Sequence, residues 1–480
     1  MPGSDDSLLS GLTVLDFTRV LAGPYCTRLL CDLGARVIKI ERPGEGDDTR
    51  RGHAQMEEGR ADQGTYFIRI NAGKSSLALD LSHPKAREVI VDLARASDVV
   101  VENFLPGVVA KLGCDYTALS AVKPDLVYCS ISGFGQSGPL RLQPAFHHIV
   151  NAMSGIMYLE QQTDPAPRPG YLQAADVLAG THAFGAILAA LFRRERTGRG
   201  AFLDVSMLEC MVSAEDINYG GMLNAGPEYP GPRPGMIVHG VGGRHVAMQT
   251  VGAPQLWPRL VAMMNRPDLA ADPRFVTPAA RRENWAVLHP IICGWLDGFK
   301  TVEEAVTTLT AARVPASAVL SPAEVMAHPH LAERQAFPEI EHPGRGKVRI
   351  TAVPFHVDSR PVRPRGGAPY RVGEHTRAVL GDVLGYSKER VEELLRLGTI
   401  AAVGLDTEDS LGGGFAGPDA IGDPDAAVGA AGQLKSRQRR RAALDRLHAA
   451  GVADVILRHR LRPARDPCEH GLGGDAQRLA

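Results

Sequence analysis

The first two hundred residues alternate between short apolar runs and longer segments with helical periodicity. Apolar runs lie at 12–17, 35–41, 98–102 and 126–131, and helices are predicted between them at 25–33 and 85–96. Strands that are apolar throughout are typical of a parallel sheet covered by helices on both faces. The pattern therefore predicts an α/β fold with a Rossmann-like sheet. No GxGxxG motif follows the first strand, so a dinucleotide site is not predicted.

Changes in composition divide the chain further along. Residues 226–235 are rich in proline and glycine, which indicates a linker or a mobile loop. A strand at 244–250 follows, then three helices at about 254–265, 281–298 and 302–313, and a strand pattern returns from residue 347. We assign 1–225 to the N-terminal part of a large domain, 226–335 to a smaller helix-rich domain with its linker, 336–402 to the return of the large domain, and 403–480 to a C-terminal extension. The extension is rich in Ala, Gly and Asp and is predicted to be disordered.

The overall composition gives no reason to expect a nucleic-acid or membrane protein. The 480 residues carry a formal net charge of -1 and only 5% aromatic side chains, and the basic run at 435–441 is too short to supply many phosphate contacts. Seven scattered cysteines without a CxxC pair favour reduced thiols over disulfides or zinc. With no signal pattern and no continuous apolar run of membrane-spanning length, we expect a cytoplasmic protein without a membrane span.

Six stretches between about residues 8 and 402 share the pattern of one family. They are the opening GLTVLDFTRVLAGPYCTRLL, NAGKSS at 71–76, VENFLPG at 101–107, SGFGQSG at 132–138, RRERTGRG at 193–200 and GEHT at 373–376. In this order they resemble the class III CoA-transferases, the L-carnitine dehydratase and bile-acid-inducible family, which includes formyl-CoA transferase and α-methylacyl-CoA racemase. The resemblance implies a Rossmann-like large domain built from both chain ends, a smaller α/β domain, and a homodimer of interlocked subunits.

Asp176, in the stretch GYLQAADVLAG, precedes an apolar helix predicted over 177–194. A carboxylate there is stabilised by the helix dipole and by free backbone N–H groups, which could also stabilise an oxyanion. On this evidence alone a simple N-cap is the commoner role. The resemblance implies instead that Asp176 attacks an acyl-CoA thioester, so that an anhydride and then an aspartyl-CoA thioester form. It implies an enzyme acting on acyl-CoA and carboxylic acid substrates, without a metal.

The resemblance also implies a coenzyme A site. The implied contacts are Arg42 at the adenine end, Lys74 at a phosphate, Asn103 and Phe104 in the nucleotide pocket, and Val20, Ala22 and Lys111 around them. From the residues themselves, Arg42 and Arg50 could equally be solvated charges in a turn. The GKSS sequence around Lys74 is half of a P-loop, but Ile68 stands where the first glycine is needed, so an ATPase is not predicted.

The racemase branch carries Gly-His-Asp where this chain has Ala145, Phe146 and His147. Racemisation needs acid/base groups on opposite faces of the α-carbon, and a phenyl ring cannot supply one, so Phe146 favours transfer chemistry. His147 or His148 could substitute from a shifted position, which keeps an acyl-CoA racemase as an alternative beside a non-catalytic acyl-CoA-binding protein. His147 contacts substrate or is a satisfied pocket histidine. Leu21 replaces a glutamine of the oxalate-using branch, so oxalate and formate are not expected as substrates.

Overall fold

The structure is a computed structural model that describes residues 7–161, 166–168, 170–226, 235–250 and 254–403. Residues 404–480 of the C-terminal extension, which is expected to be disordered, and residues 227–234 of the expected loop lie outside these ranges.

Fourteen strands and nineteen α-helices are found in the described part of the chain. The strands are β1 Thr13–Asp16, β2 Arg36–Glu41, β3 Ser75–Leu79, β4 Val99–Glu102, β5 Val127–Ser132, β6 Ala201–Ser206, β7 Met236–Val241, β8 Arg244–Gln249, β9 Ala316–Ala318, β10 Glu339–His342, β11 Gly346–Arg349, β12 His356–Val357, β13 Arg360–Pro361 and β14 Ile400–Ala401. The helices are α1 Ala22–Asp32, α2 Thr65–Asn71, α3 Ala86–Arg95, α4 Val108–Lys111, α5 Tyr116–Ser120, α6 His147–Met153, α7 Ile156–Gln161, α8 Ala174–Thr197, α9 Met207–Ala214, α10 Asp216–Ala225, α11 Leu256–Met263, α12 Pro267–Ala271, α13 Pro278–Glu283, α14 Trp285–Leu296, α15 Val302–Ala311, α16 Pro322–Met326, α17 Pro329–Glu333, α18 Thr376–Ala378 and α19 Lys388–Arg396. A 3₁₀ turn at Asp48–Arg50 and a π turn at Val379–Val383 complete the set.

The main sheet has seven strands in the order β14-β3-β2-β1-β4-β5-β6. Every neighbouring pair is parallel except β14 with β3, where Ile400 lies opposite Leu79. From β3 to β6 this is the strand order of a doubly wound sheet, in which the order reverses between β1 and β4 and leaves a crevice at their carboxyl ends. The predicted mixed α/β class with a large, mainly parallel sheet is confirmed.

Two hydrophobic cores cover the two faces of this sheet. Successive side chains of β1 enter opposite cores, Val14 beside α1 and α8 and Leu15 beside α3 and α19. Helix α8 is long and apolar enough to cross a membrane by length and composition alone. Here it packs on α1, α9 and β5, and its small buried residues recur at helical spacing, as Ala175, Ala179 and Ala183 show. It therefore lies in the structure as a core helix.

A separate hydrophobic core is built from residues between 237 and 318. The antiparallel sheet β7-β8-β9 contributes to it together with α11, α12, α14 and α15. The single helix expected over 281–298 is two helices, α13 and α14. The reason is that the Asn284 side chain donates to the Ala280 carbonyl (2.9 Å) at the junction, where the backbone leaves helical geometry. The domain boundaries themselves stay a prediction.

Opposite charges are buried together at the carboxyl edge of β1 and β2. The ion pairs are Asp16 with Lys74 (3.0 Å), Lys39 with Asp47 (2.9 Å) and Glu41 with Arg50 (2.7 Å). All six side chains are at most 1% exposed, so each charge depends on its partner to offset its lost hydration. The solvated role considered for Arg50 is therefore wrong, because Glu41 receives two hydrogen bonds from its guanidinium and the Phe67 ring covers it at 3.7 Å.

Candidate active site

Asp176 lies in the first turn of α8, three residues after the N-cap position at Gln173. The helix thus begins at Ala174, before the predicted start at residue 177. The side chain of His147 explains the earlier start, because its Nδ1 accepts the backbone N–H of Ala175 (3.3 Å), one of the N–H groups that a helix start leaves free. Asp176 is therefore the third residue of the helix and not its N-cap.

Two helix starts converge on the Asp176 carboxylate. It accepts hydrogen bonds from the backbone N–H of Ala22, the first residue of α1, and from its own backbone N–H. Burial raises the pKa of Asp176 to about 6, although both N–H groups and the nearby His148 act in the opposite direction. A carboxyl group with this pKa is partly desolvated and still mostly ionised at neutral pH.

Close contact between α1 and α8 depends on Gly180. A Cβ atom at this position would lie 2.5 Å from the Ala22 carbonyl oxygen, which is too close for any side chain. Glycine therefore lets α8 approach the start of α1. Helix α1 itself begins at Ala22, three residues before its predicted start, because Pro24 is tolerated in a first helical turn.

A cavity of about 410 Å³ opens in the crevice between the carboxyl ends of β1 and β4; we call it the switch-point cavity. Six of the predicted site residues line it together, namely Val20, Ala22, Asn103, Phe104, Phe146 and Asp176. The crevice of a doubly wound sheet is where such folds bind ligands. The structure therefore brings the proposed nucleophile and much of the expected coenzyme pocket to one place.

Asn103 holds the loop after β1 in a strained conformation. Its side-chain oxygen accepts the Arg19 N–H and its side-chain nitrogen donates to the Arg19 carbonyl, both at 2.8 Å. Val20, which follows Arg19 in the chain, has a backbone φ of +67°. A β-branched residue rarely adopts this conformation, which costs about 1–3 kcal/mol. These two hydrogen bonds fix the Asn103 amide in the cavity wall, and one N–H and one acceptor site of the amide stay open to a ligand.

Lys74 does not line the switch-point cavity, and in the structure its ammonium group has protein partners in place of the expected phosphate. Its ammonium group is buried and donates to Asp16 (3.0 Å), Thr27 (2.8 Å), Asn71 (2.9 Å) and the Pro24 carbonyl (3.1 Å). Burial lowers the pKa of Lys74 to about 8, and Asp16 opposes that shift. Lys74, directly before β3, is a core cation that joins this strand to the end of β1 and to α1.

Other cations stand nearer to solvent. Arg42 is exposed and pairs with Glu45 (2.8 Å), and Lys111 is exposed at the end of α4, without an ion pair to any described residue. Neither lines the switch-point cavity, so their contacts with coenzyme A stay predictions. Arg19 and Arg141 do line it, and sequence reasoning missed both. Arg19 could have been found from its place directly after the first strand, where doubly wound folds bind ligands.

The two neighbouring histidines have different surroundings. His147 is buried, and burial followed by the effect of His148 lowers its pKa, so it is neutral and caps α8. His148 is exposed, and it lies close enough to Asp176 to lower the pKa of that carboxyl group. Phe146 is 69% exposed and lines the cavity. Of the two histidines, only His148 is placed for acid/base chemistry beside Asp176.

A second cavity, of about 600 Å³, reaches the same turn of α8; we call it the Arg69 cavity. Its lining includes Tyr66, Arg69 and Gln173. The Tyr66 hydroxyl donates to the Gln173 side-chain oxygen (3.0 Å), while burial, and after it the charge of Asp176, raises the pKa of Tyr66 to about 12. The candidate nucleophile therefore has one cavity in contact with it and a second within electrostatic reach. Within the described ranges, no three His, Cys, Asp or Glu side chains are grouped to hold a metal ion.

Comparison with known proteins agrees with the resemblance seen in the sequence. The chain is 33% identical over 413 residues to succinyl-CoA:glutarate CoA-transferase of Mus musculus, covering 83% of this chain and 92% of that protein. It is 39% identical over 298 residues to acetyl-CoA:oxalate CoA-transferase of Acetobacter aceti, covering 59% and 73%. A CAIB/BAIF family protein from Brucella suis shares the fold with a TM-score of 0.66 and 30% identity, over 78% of this chain and 99% of that one. The sequence profile of CoA-transferase family III matches residues 9–376, and the chain belongs to that family.

Proposed function

We propose that this protein moves coenzyme A from an acyl-CoA thioester to a carboxylic acid, with Asp176 as the covalent nucleophile. Membership of the family supports the reaction class. One observation carries the role of Asp176: it lines the switch-point cavity while two backbone N–H groups from two helix starts contact its carboxylate. The two named relatives use different acids, glutarate in one and oxalate in the other, so they do not identify the acid that this protein uses.

The first half-reaction converts Asp176 into a thioester. The carboxylate attacks the carbonyl carbon of the acyl-CoA, the carbon–sulfur bond breaks, and CoA leaves as a thiolate, so that a mixed anhydride forms. The thiolate then attacks the aspartyl carbonyl of the anhydride and expels the original acid as its carboxylate. Charge develops on the aspartyl group that the N–H groups of Ala22 and Asp176 already contact, and these donors therefore act as an oxyanion hole.

The second half-reaction runs the same steps with the acceptor. Its carboxylate attacks the aspartyl-CoA thioester and releases the CoA thiolate, which then attacks the acceptor side of the new anhydride. The acceptor leaves as its CoA thioester and Asp176 regains its carboxylate. No proton is consumed in either half, so the site needs no separate acid or base.

Coenzyme A is placed in the switch-point cavity in this proposal, with its thioester at Asp176. Phe104 and the loop held by Asn103 form the wall. Arg141 adds positive charge for phosphate groups, whereas Arg19 is paired with Asp48 (2.7 Å), which lines the same cavity. Arg42 and Lys111 stay candidate contacts outside the cavity. Lys74 is left out because its ammonium is fully occupied in the core.

A homodimer is part of the proposal, since several large apolar side chains around α8 are exposed in the single chain. Tyr158, Leu172, Phe192 and Leu223 are each between 66% and 82% exposed. Exposed apolar groups of this kind mark subunit interfaces. Light scattering of the purified protein measures the subunit number, and a monomer at micromolar concentration would contradict it. The cytoplasmic location also stays a prediction.

α-Proton exchange is the second candidate, because His148 lies near Asp176 and the two could act as an acid/base pair. Incubation of the enzyme with (R)-2-methylacyl-CoA in deuterium oxide distinguishes the reactions. We expect transfer to an added carboxylic acid without deuterium in the acyl chain. Deuterium entry with inversion at the rate of turnover would assign the protein to racemase chemistry.

The role of Asp176 is tested by replacing it with asparagine, which keeps the size of the side chain. Loss of a covalent nucleophile lowers kcat by at least ~10³-fold. Wild-type enzyme incubated with succinyl-CoA or acetyl-CoA should also give an Asp176 adduct that hydroxylamine traps and peptide mass spectrometry locates.

The matched control is Asp204→Asn, an aspartate beside Gly135 outside this chemistry. It should keep the adduct and the activity. Transfer by Asp176→Asn within tenfold of wild type would remove Asp176 from the mechanism. An acyl-CoA that binds without adduct or transfer in the wild type would favour a non-catalytic binding protein.

A further inference from the structure

We infer that the acid that exchanges coenzyme A is a short dicarboxylate, whose second carboxylate binds Arg69 in the Arg69 cavity. The inference rests on the proposed function and deepens it by naming the class of acid. It depends on three features of this cavity: a cation without an anion, a hydrogen-bonded connection to the turn that carries Asp176, and an apolar wall.

Arg69 is a half-buried guanidinium that forms no ion pair with any described carboxylate. The ring centre of Tyr66 lies 5.4 Å from its guanidinium carbon. Burial lowers the pKa of Arg69, while the two neighbouring tyrosines, Tyr66 and Tyr25, oppose that shift only in part. A partly desolvated guanidinium without a counter-ion is costly, and a carboxylate is the group that matches its planar set of donors. The missing anion is therefore assigned to the ligand.

The cavity reaches the chemistry through one turn of α8. Gln173 accepts the Tyr66 hydroxyl at 3.0 Å and lines the Arg69 cavity, while Asp176 lines the switch-point cavity three residues later. Gln173 is the N-cap of α8 and Asp176 is its third residue, so the two positions lie within about one helical turn, a span that a few methylene groups can cover. An acid with one carboxylate at Asp176 can thus place a second one at Arg69 when its chain is short.

The rest of the lining suits the same ligand. Met326, Phe337 and Ile350 provide an apolar wall for a methylene chain. Arg349, exposed on β11 and without an ion pair to any described residue, adds a second positive charge at this cavity. A monocarboxylate would leave both guanidinium groups without a partner, so the cavity discriminates between acids that differ only in the distal group.

The experiment compares acceptors of equal chain length, glutarate against pentanoate and succinate against butanoate, with acetyl-CoA and succinyl-CoA as donors. Wild-type enzyme should prefer the dicarboxylate of each pair by about 10- to 100-fold in kcat/KM, the range for a charged hydrogen bond. Arg69→Met should lower kcat/KM for the dicarboxylates by a similar factor and for the monocarboxylates by much less, so that the preference collapses. Arg69→Lys should retain part of it.

Arg396→Met is the matched control, because Arg396 is an exposed arginine in the last turn of α19 and lines neither cavity. Its acceptor preference should equal that of the wild type. Equal kcat/KM for both members of each pair in the wild type would overturn the inference even if Arg69→Met failed to fold. Retained preference in a folded Arg69→Met would overturn it too. In either case adduct formation at Asp176 would show that the proposed function still stands, whereas loss of all transfer with every acid would count against that function.

Discussion

Asp176 is held between two opposing requirements, since burial favours its neutral form while nucleophilic attack needs the carboxylate. The effect of burial is larger than the opposing effects of the two N–H groups and His148, and it raises the pKa of Asp176 to about 6. Because only the ionised form attacks, the rate of adduct formation should be low at about pH 5, rise about tenfold per pH unit below the pKa, and level off above about pH 7. Rapid-quench measurement of the Asp176 adduct across this range checks the prediction.

The control is the same measurement with His148→Gln. His148 lowers the pKa of Asp176, so its replacement should move the midpoint to higher pH. A flat profile between about pH 5 and about pH 8 in the wild type would show that Asp176 is ionised throughout and that its burial is relieved by ligand or partner.

The sequence identified Asp176 and the other five predicted residues that line the switch-point cavity, because these follow strands or begin a helix in a family pattern. For Lys74 the resemblance implied a phosphate contact, whereas the structure buries its ammonium group. Its true partner, Asp16, is 58 residues away in the chain, and no local pattern shows such a pairing. Arg69 was also missed, because its significance is the absence of a nearby carboxylate, which only coordinates show.

Helix α8 brings the nucleophile to the start of α1, and this contact has no room for a side chain at Gly180. We expect Gly180→Ala to destabilise the protein by about 1–3 kcal/mol, the usual cost of overpacking, and to slow adduct formation, because the Ala22 N–H moves away from Asp176. Thermal or denaturant unfolding gives the first quantity and the hydroxylamine assay the second.

Gly185 in the same helix is the matched control, since a Cβ there would meet no atom within 4 Å. Gly185→Ala should be neutral or more stable by up to about 1 kcal/mol, the helix preference of alanine over glycine. Equal loss of stability in the two variants would show that helix propensity, and not the contact between α1 and α8, determines the outcome.

At the level of elements, apolar runs and helical spacing located most strands and helices, while the ends depended on distant residues. The start of α8 moved because His147, almost thirty residues earlier, accepts an N–H of its first turn. The break between α13 and α14 depends on one asparagine side chain. Periodicity indicates which face of a helix or strand is buried. It does not indicate which side chain will form a hydrogen bond with an unpaired backbone N–H or C=O group at a helix end.

At the scale of the whole molecule, the family profile ends at residue 376 and the last strand, β14, ends at Ala401. We therefore expect a chain that stops after Val403 to keep the wild-type kcat and subunit number, because the sequence beyond it has few large apolar side chains with which to form a core. Activity assays and light scattering of the shortened protein check this. A loss of activity above about tenfold, with folding intact, would assign the extension a part in the reaction.

The sheet as a whole was only partly predictable. The parallel strands were predicted from continuous apolar runs, but the order of the strands was not. The pairing of Ile400 with Leu79 joins residues more than three hundred positions apart. Sequence alone offers no register for such a pair, since many short apolar segments would fit the same edge.

The buried charges at the carboxyl edge of β1 and β2 bear on how this family can diverge. Replacing only one member of the Asp16–Lys74 or Glu41–Arg50 pair leaves an unpaired charge in the core. This costs about 3–5 kcal/mol, a large part of the roughly 5–15 kcal/mol by which a folded protein is stable. Replacing both members by apolar groups avoids that cost. An alignment of relatives should therefore show the two members of each pair changing together or not at all. The buried pairs would then evolve by double substitutions, while residues that line the switch-point cavity change one at a time.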